Sequence, residues 1–88
     1  MDSIKNLKRV CESIIVPQYS ELDSVDVRIV AGSFDIFFYE VIYYYNTPLD
    51  VQLKVEIMTE TVALFDMLGF PKGSDLTVIY TEKESTES

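Results

Sequence analysis

The spacing of apolar and polar residues along this 88-residue chain predicts two helices and three strands. The predicted elements are a helix over about residues 3–15, strands over 24–31 and 34–45, a helix over 48–68 and a strand over 76–80. Pro17 ends the first helix, and Gly69 followed by Pro71 ends the second. The order α-β-β-α-β predicts an α+β fold, with an N-terminal β-hairpin in a three-stranded sheet and both helices packed on one face.

The long strand from Phe34 to Tyr45 is the most unusual stretch, because seven of its twelve residues are aromatic. The dipeptide Gly32-Ser33 before it predicts a type II′ hairpin turn, which places Val27 opposite Phe38. In that register the core face consists of Val25, Val27, Ile29, Ala31, Phe34, Ile36 and Phe38. Phe38 is therefore expected to be nearly fully buried, and the end of the strand, from Glu40 to Tyr45, needs a third strand or another chain beside it.

The opposite face of the long strand predicts an interaction surface. It carries Phe37, Tyr39, Val41, Tyr43 and Tyr45, with Arg28 beside them. An exposed aromatic patch usually marks an interface, so we expect a homodimer formed across this face. A different protein, or the chain's own C-terminal tail, are the alternative occupants. Stacking of nucleic-acid bases on this face is disfavoured, because Arg28 is the only basic residue nearby and lies among acidic residues.

A net charge of −8, from fifteen acidic and seven basic residues, opposes direct nucleic-acid binding and favours a basic protein partner. Four carboxylates follow the second predicted helix: Asp50, Glu56, Glu60 and Asp66. Such a row can imitate the phosphates of a nucleic acid, although a solvated helix face is the simpler explanation. The apolar stripe of that helix is Leu49, Leu53, Ile57, Leu64 and Leu68, flanked by Val55, Met58, Val62, Phe65 and Met67.

Candidate catalytic chemistry is sparse. The chain has no His, which removes Ser-His-Asp and Cys-His arrangements and the usual general base near neutral pH. Cys11 lies on the apolar stripe of the first helix, where a buried small side chain is expected rather than a nucleophile. The three Gly residues are too far apart for a phosphate loop. We therefore predict no enzyme activity, no cofactor and no metal site.

The location and extent of the domain follow from similar observations. A single Cys excludes an internal disulfide, and no apolar run is long enough to span a membrane, so a cytoplasmic protein is expected. We predict one domain over residues 1–81 and a flexible acidic tail over residues 82–88.

The interpretation that combines these features is a small acidic protein-binding module. Its size, acidity and lack of catalytic residues fit the profile of phage or mobile-element inhibitors that mimic nucleic-acid charge and dock on a basic nucleic-acid-binding host protein. The alternative is a structural or assembly subunit without an inhibitory role. An enzyme that depends on carboxylates or a metal is the third choice.

Overall fold

A computed structural model describes residues 3–33, 36–71 and 73–84 of the chain. Its elements are α1 (Ser3–Val10), β1 (Leu22–Ser33), β2 (Ile36–Tyr45), α2 (Val51–Met67) and β3 (Asp75–Glu82). The sheet order is β1-β2-β3, with β1 antiparallel and β3 parallel to β2. Both helices contribute to the core on one face of the sheet, through residues such as Leu7 and Ile57. The predicted α+β fold is confirmed.

The helical run that begins with α1 extends further than predicted. A π-helical turn over Cys11–Ile15 and a 3₁₀ turn over Val16–Gln18 follow α1 without a break. Pro17 cannot donate a backbone hydrogen bond and crowds the turn before it, which favours a wider turn at this point. The Gln18 side chain donates to the Ile14 carbonyl oxygen at 2.8 Å. Consequently the chain keeps a helical path past residue 15 and buries both Cys11 and Ile15.

The hairpin register differs from the predicted one. Gly32 and Ser33 are paired with Phe37 and Ile36 within the ladder, so they do not form the turn. Residues 34 and 35, which include Phe34 of the predicted core face, lie outside the described residues. Val27 faces Val41 instead of Phe38, a shift of three residues along β2. Because side chains alternate along a strand, a shift by an odd number exchanges the two faces of β2 relative to β1.

Because the faces are exchanged, the core contains the face of β2 that the sequence analysis placed outside. Phe38 is 43% exposed, whereas Tyr39 and Val41 are buried. On β1, Val25 and Val27 are buried as predicted, but Ile29 is exposed. The predicted face would have placed Glu40 inside the core, where a carboxylate is costly. In the observed register Glu40 pairs with Arg28 across the outer face.

The ends of α2 show one error and one confirmation. Thr47 and Pro48 precede the helix, and the N-cap is Asp50, whose carboxylate accepts a hydrogen bond from the Leu53 N–H at 2.8 Å. The helix therefore begins at Val51, three residues after the start predicted at residue 48, with Asp50 as its capping residue. At the other end Gly69 has a φ of 73°, the left-handed conformation that was predicted to stop the helix.

The last strand is longer than predicted. β3 continues to Glu82, which pairs with Tyr45, and the Lys83 N–H donates to the Tyr45 carbonyl oxygen at 2.8 Å. The Lys83 ammonium group also lies 3.1 Å from a carboxylate oxygen of Asp23. The predicted flexible tail therefore does not begin at residue 82, and residues 85–88 lie outside the described part of the chain.

Candidate interaction surfaces

The aromatic face predicted as an interface lies between the sheet and the helices. Tyr39, Val41 and Tyr43 are buried, while Phe37 and Tyr45 are partly buried against the same core. The Tyr39 ring makes edge contacts with the rings of Phe65 and Phe70, at centroid distances of 5.7 and 4.8 Å. In this monomer α1 and α2 cover the face, so it is not the free surface expected from the sequence.

Arg28 does not belong to that aromatic face. Its register partner is Glu40, and its Nε atom lies 2.7 Å from a carboxylate oxygen of Glu40 on the uncovered side of the sheet. The prediction that Arg28 lies beside the aromatic residues is therefore wrong, again because the register is shifted.

Tyr43 makes the main polar contact inside the core. Its hydroxyl lies 2.6 Å from the Thr61 hydroxyl oxygen, and both side chains are fully buried. The Thr61 hydroxyl donates to the Ile57 carbonyl oxygen at 2.7 Å, so the Tyr43 hydroxyl is the donor to Thr61. Cys11 is buried, as predicted, and lies beside Tyr43; burial raises the pKa of its thiol. A thiol held in its protonated form is a poor nucleophile.

Stability should fall at alkaline pH because three tyrosines are held neutral. The hydrogen bond from Tyr19 to Glu60 is the largest of the causes that raise the pKa of Tyr19 to about 12, and burial raises the pKa values of Tyr43 and Tyr80 above their usual value. Since all three folded-state pKa values exceed that of a free tyrosine, about 10, this stabilisation is complete below about pH 10 and is lost as the pH rises towards about 12 and beyond.

Urea unfolding at about pH 8 and about pH 11 measures this loss, with tyrosinate absorbance recorded in parallel. Tyr19→Phe removes one of these three titrating groups and should make the loss of stability with pH less steep. An unchanged urea midpoint between the two pH values would contradict the expectation.

The four carboxylates along α2 do not form one free row. Asp50 caps the helix, and Glu60 accepts hydrogen bonds from the Gln18 amide, at 3.0 Å, and from the Tyr19 hydroxyl. Glu56 accepts from the Gln52 amide at 3.1 Å. Asp66 lies roughly 80° around the helix axis from Glu56, since each residue of an α-helix advances about 100°. The predicted acidic surface is thus divided between structural contacts and separate sides of the helix.

A surface that the sequence analysis missed lies on the outer side of α2. Four apolar side chains there are exposed, although the sequence analysis placed three of them beside the buried stripe. We call Val51, Val55, Met58 and Val62 the outer stripe; each is more than 40% exposed. Their spacing of four, three and four residues is a readable signal, because it marks one side of a helix.

The outer stripe faces the β3 side of the molecule. Lys54 lies next to the stripe around the helix; its carbonyl oxygen accepts a hydrogen bond from the Tyr80 hydroxyl at 2.6 Å. Its ammonium group lies 5.9 Å from the centre of the Tyr80 ring. Glu60, on the other flank of α2, contacts Gln18 and Tyr19 after α1. The stripe therefore overhangs the outer edge of the sheet at β3.

The face of the sheet opposite the helices is a second exposed surface. Val30 and Phe38 are exposed apolar side chains near the end of the hairpin. The ion pair between Arg28 and Glu40 lies between them and the middle of the sheet, where Ile42 is buried. This face mixes apolar groups with paired charges.

Neither surface contains a constellation with evident chemistry. Among the described residues, no group of three or more Cys, Asp and Glu side chains is arranged to hold a metal ion. No helix within the ranges 3–33, 36–71 and 73–84 combines the length and hydropathy needed to cross a membrane.

Comparisons with known proteins identify a solved structure with a similar fold. No protein-family model and no curated protein matches the chain. A similar solved structure is the MamB CTD, a magnetosome protein of Desulfamplus magnetovallimortis BW-1, with a TM-score of 0.70 and 16% sequence identity. The alignment covers 99% of this chain and 100% of the solved one. At this identity the likeness establishes the shared fold.

Proposed function

We propose that the chain is a non-enzymatic interaction module that takes part in the assembly of a protein complex. The observation that carries the proposal is the outer stripe on α2, a row of exposed apolar side chains that lies outside the buried core. Exposed apolar side chains are unfavourable in water, so covering this row with another protein lowers the free energy. The fold of the MamB CTD, a domain of a magnetosome protein, is compatible with this role.

The nucleic-acid mimic has less support than the assembly role. A mimic needs a row of free carboxylates, but Asp50 and Glu60 are engaged in contacts that hold α2 in place. The exposed row that runs along one side of α2, the outer stripe, is apolar rather than acidic. Docking on a basic host protein as a phage-type inhibitor is therefore the second choice, although the net charge of −8 still favours basic partners over acidic ones.

The location and partners remain proposals. A buried thiol in a chain with one Cys suits a reducing compartment, and we propose the cytoplasm. The homodimer expected from the sequence needs a different surface, because its aromatic face is covered by helices in the monomer.

Cross-linking in the cells from which the chain comes, followed by mass spectrometry, tests the assembly role. We expect cross-links from exposed residues of the chain to a defined protein, in a complex that persists when the salt concentration is raised. A steep loss of the complex with salt would favour the charge mimic instead. A chain that stays free in the cell, or that shows metal-dependent turnover, would contradict the proposal.

A further inference from the structure

The outer stripe is unfavourable in an isolated monomer. Three of its four members are valines, which have a lower helix propensity than the Ala, Glu or Lys residues common at exposed helix positions. The inner side of the same helix, by contrast, carries the polar Thr61 at a fully buried position. Apolar side chains placed in water at a cost in helix stability indicate a contact that the monomer lacks.

The two edges of the sheet differ in their protection. β1 has two register irregularities and carries Asp23, Asp26 and Arg28, and Lys8 of α1 lies 3.6 Å from Asp26. Irregularities and charges of this kind prevent an edge from pairing with another chain. β3 pairs with β2 without interruption, and its segment from Leu76 to Thr81 has neither a charge nor a proline. Within the described residues, no strand pairs with the outer edge of β3.

The inward side of β3 is also incompletely covered. Leu76, Val78 and Tyr80 point towards the helices and pack on the core, yet all three stay partly exposed. The outer stripe of α2 overhangs this same edge. An unprotected strand edge, half-covered apolar side chains and an exposed apolar helix side therefore meet along one side of the molecule.

We propose that a second copy of this chain occupies that side, with β3 pairing antiparallel to its counterpart around a two-fold axis. This inference rests on the proposed interaction role and names its surface. One two-fold axis covers both the edge of β3 and the outer stripe of α2. The two sheets join into one of six strands, and the outer stripes of the two α2 helices face each other.

The spacing of the elements fits such a pair. Contacts from Tyr43 to Thr61 and from Tyr80 to Lys54 place α2 above β2 and β3. Strands lie about 4.8 Å apart, so an axis just beyond β3 separates the two α2 helices by on the order of 10 Å. Packed helices have axes about 8–10 Å apart, so the outer stripes come into contact.

The sequence of β3 selects a register for the pair. Residues opposite each other in an antiparallel ladder share a face. If Val78 lies at the axis, it is opposite Val78 of the other copy, and Leu76 is opposite Tyr80. Every inward apolar residue of β3 then contacts an apolar residue of the other copy. Asp75 then faces Thr81, and no acidic residue faces another across the central ladder. This self-compatibility favours a second copy over a foreign strand.

Sedimentation equilibrium of the whole chain tests the inference. We expect the mass of two chains at tens of micromolar, a concentration range typical of moderate affinities. Val55→Lys with Val62→Lys should weaken the dimer by at least about tenfold, because it places like charges where the outer stripes meet. Gln52→Lys with Ala63→Lys makes the same charge change at exposed positions roughly 100° around the helix axis from the outer stripe and should leave the affinity within about twofold.

A cysteine introduced at the axis tests the strand pairing separately. Val78→Cys should form an intermolecular disulfide under mild oxidation, since opposed residues lie within disulfide reach. Thr77→Cys should not, because residue 77 faces residue 79 of the other copy. The native chain, with Cys11 buried, is the second control.

A monomer at these concentrations, equal effects of the two lysine pairs, or no cross-link through residue 78 would overturn the inference. A chain that is monomeric in solution but cross-links to another protein in cells would overturn self-pairing alone and leave the assembly role intact.

Discussion

Tyr43→Ala is expected to lower the free energy of unfolding by about 3–5 kcal/mol, because it removes the largest fully buried side chain among the described residues. The substitution leaves a cavity under α2 and deprives Thr61 of the hydrogen bond that the Tyr43 hydroxyl donates. Equilibrium urea denaturation, with circular dichroism as the signal, measures the loss.

Phe38→Ala is the matched control for Tyr43. Phe38 lies on the same strand but is 43% exposed on the outer face of the sheet, so its truncation should cost less than about 1 kcal/mol. The opposite order of the two losses would show that the strand faces are those predicted from the sequence. For the same reason Tyr43→Glu should unfold the monomer, since it places a carboxylate in the core.

Ile57→Ala is expected to cost about 2–5 kcal/mol, since the Ile57 side chain is fully buried between α2 and the sheet. Gln52→Ala, at an exposed position of the same helix, is the control and should change the stability by no more than about 0.5 kcal/mol. Thermal and urea unfolding of both variants give the comparison. Similar losses for the two would mean that the helix is rotated about its axis relative to the structure described.

The proposed self-pairing affects how such measurements are made. Binding of a second copy stabilises the native state by mass action, so the unfolding midpoint should rise with protein concentration. Comparing variants at one low concentration separates the core losses from any loss of dimer contacts.

Local sequence determined the elements and several of their details. Helical spacing placed Ile57 and Phe65 on or beside an inward stripe, and Cys11 on the apolar stripe of the first helix, and all three are buried. These features depend on residues a few positions apart, whose relation is fixed by the geometry of one helix. The stop at Gly69 is equally local, because a residue without a side chain tolerates positive φ.

Tertiary structure decided which side of each element is covered. In β2 both faces are rich in apolar residues, so alternation alone did not distinguish them. An error of three residues in the predicted hairpin register therefore placed Tyr43 on the outer face, whereas the structure has it in the core. In α2 the apolar residues extend so far around the axis that the sequence did not separate the inward stripe from the outer stripe. The separation follows from a three-stranded sheet that ends at β3: the contacts of Lys54 and Thr61 with tyrosines of the sheet fix the rotation of the helix. Where a chain carries more apolar surface than its own sheet covers, long-range packing decides which part is core and which part is left for a partner.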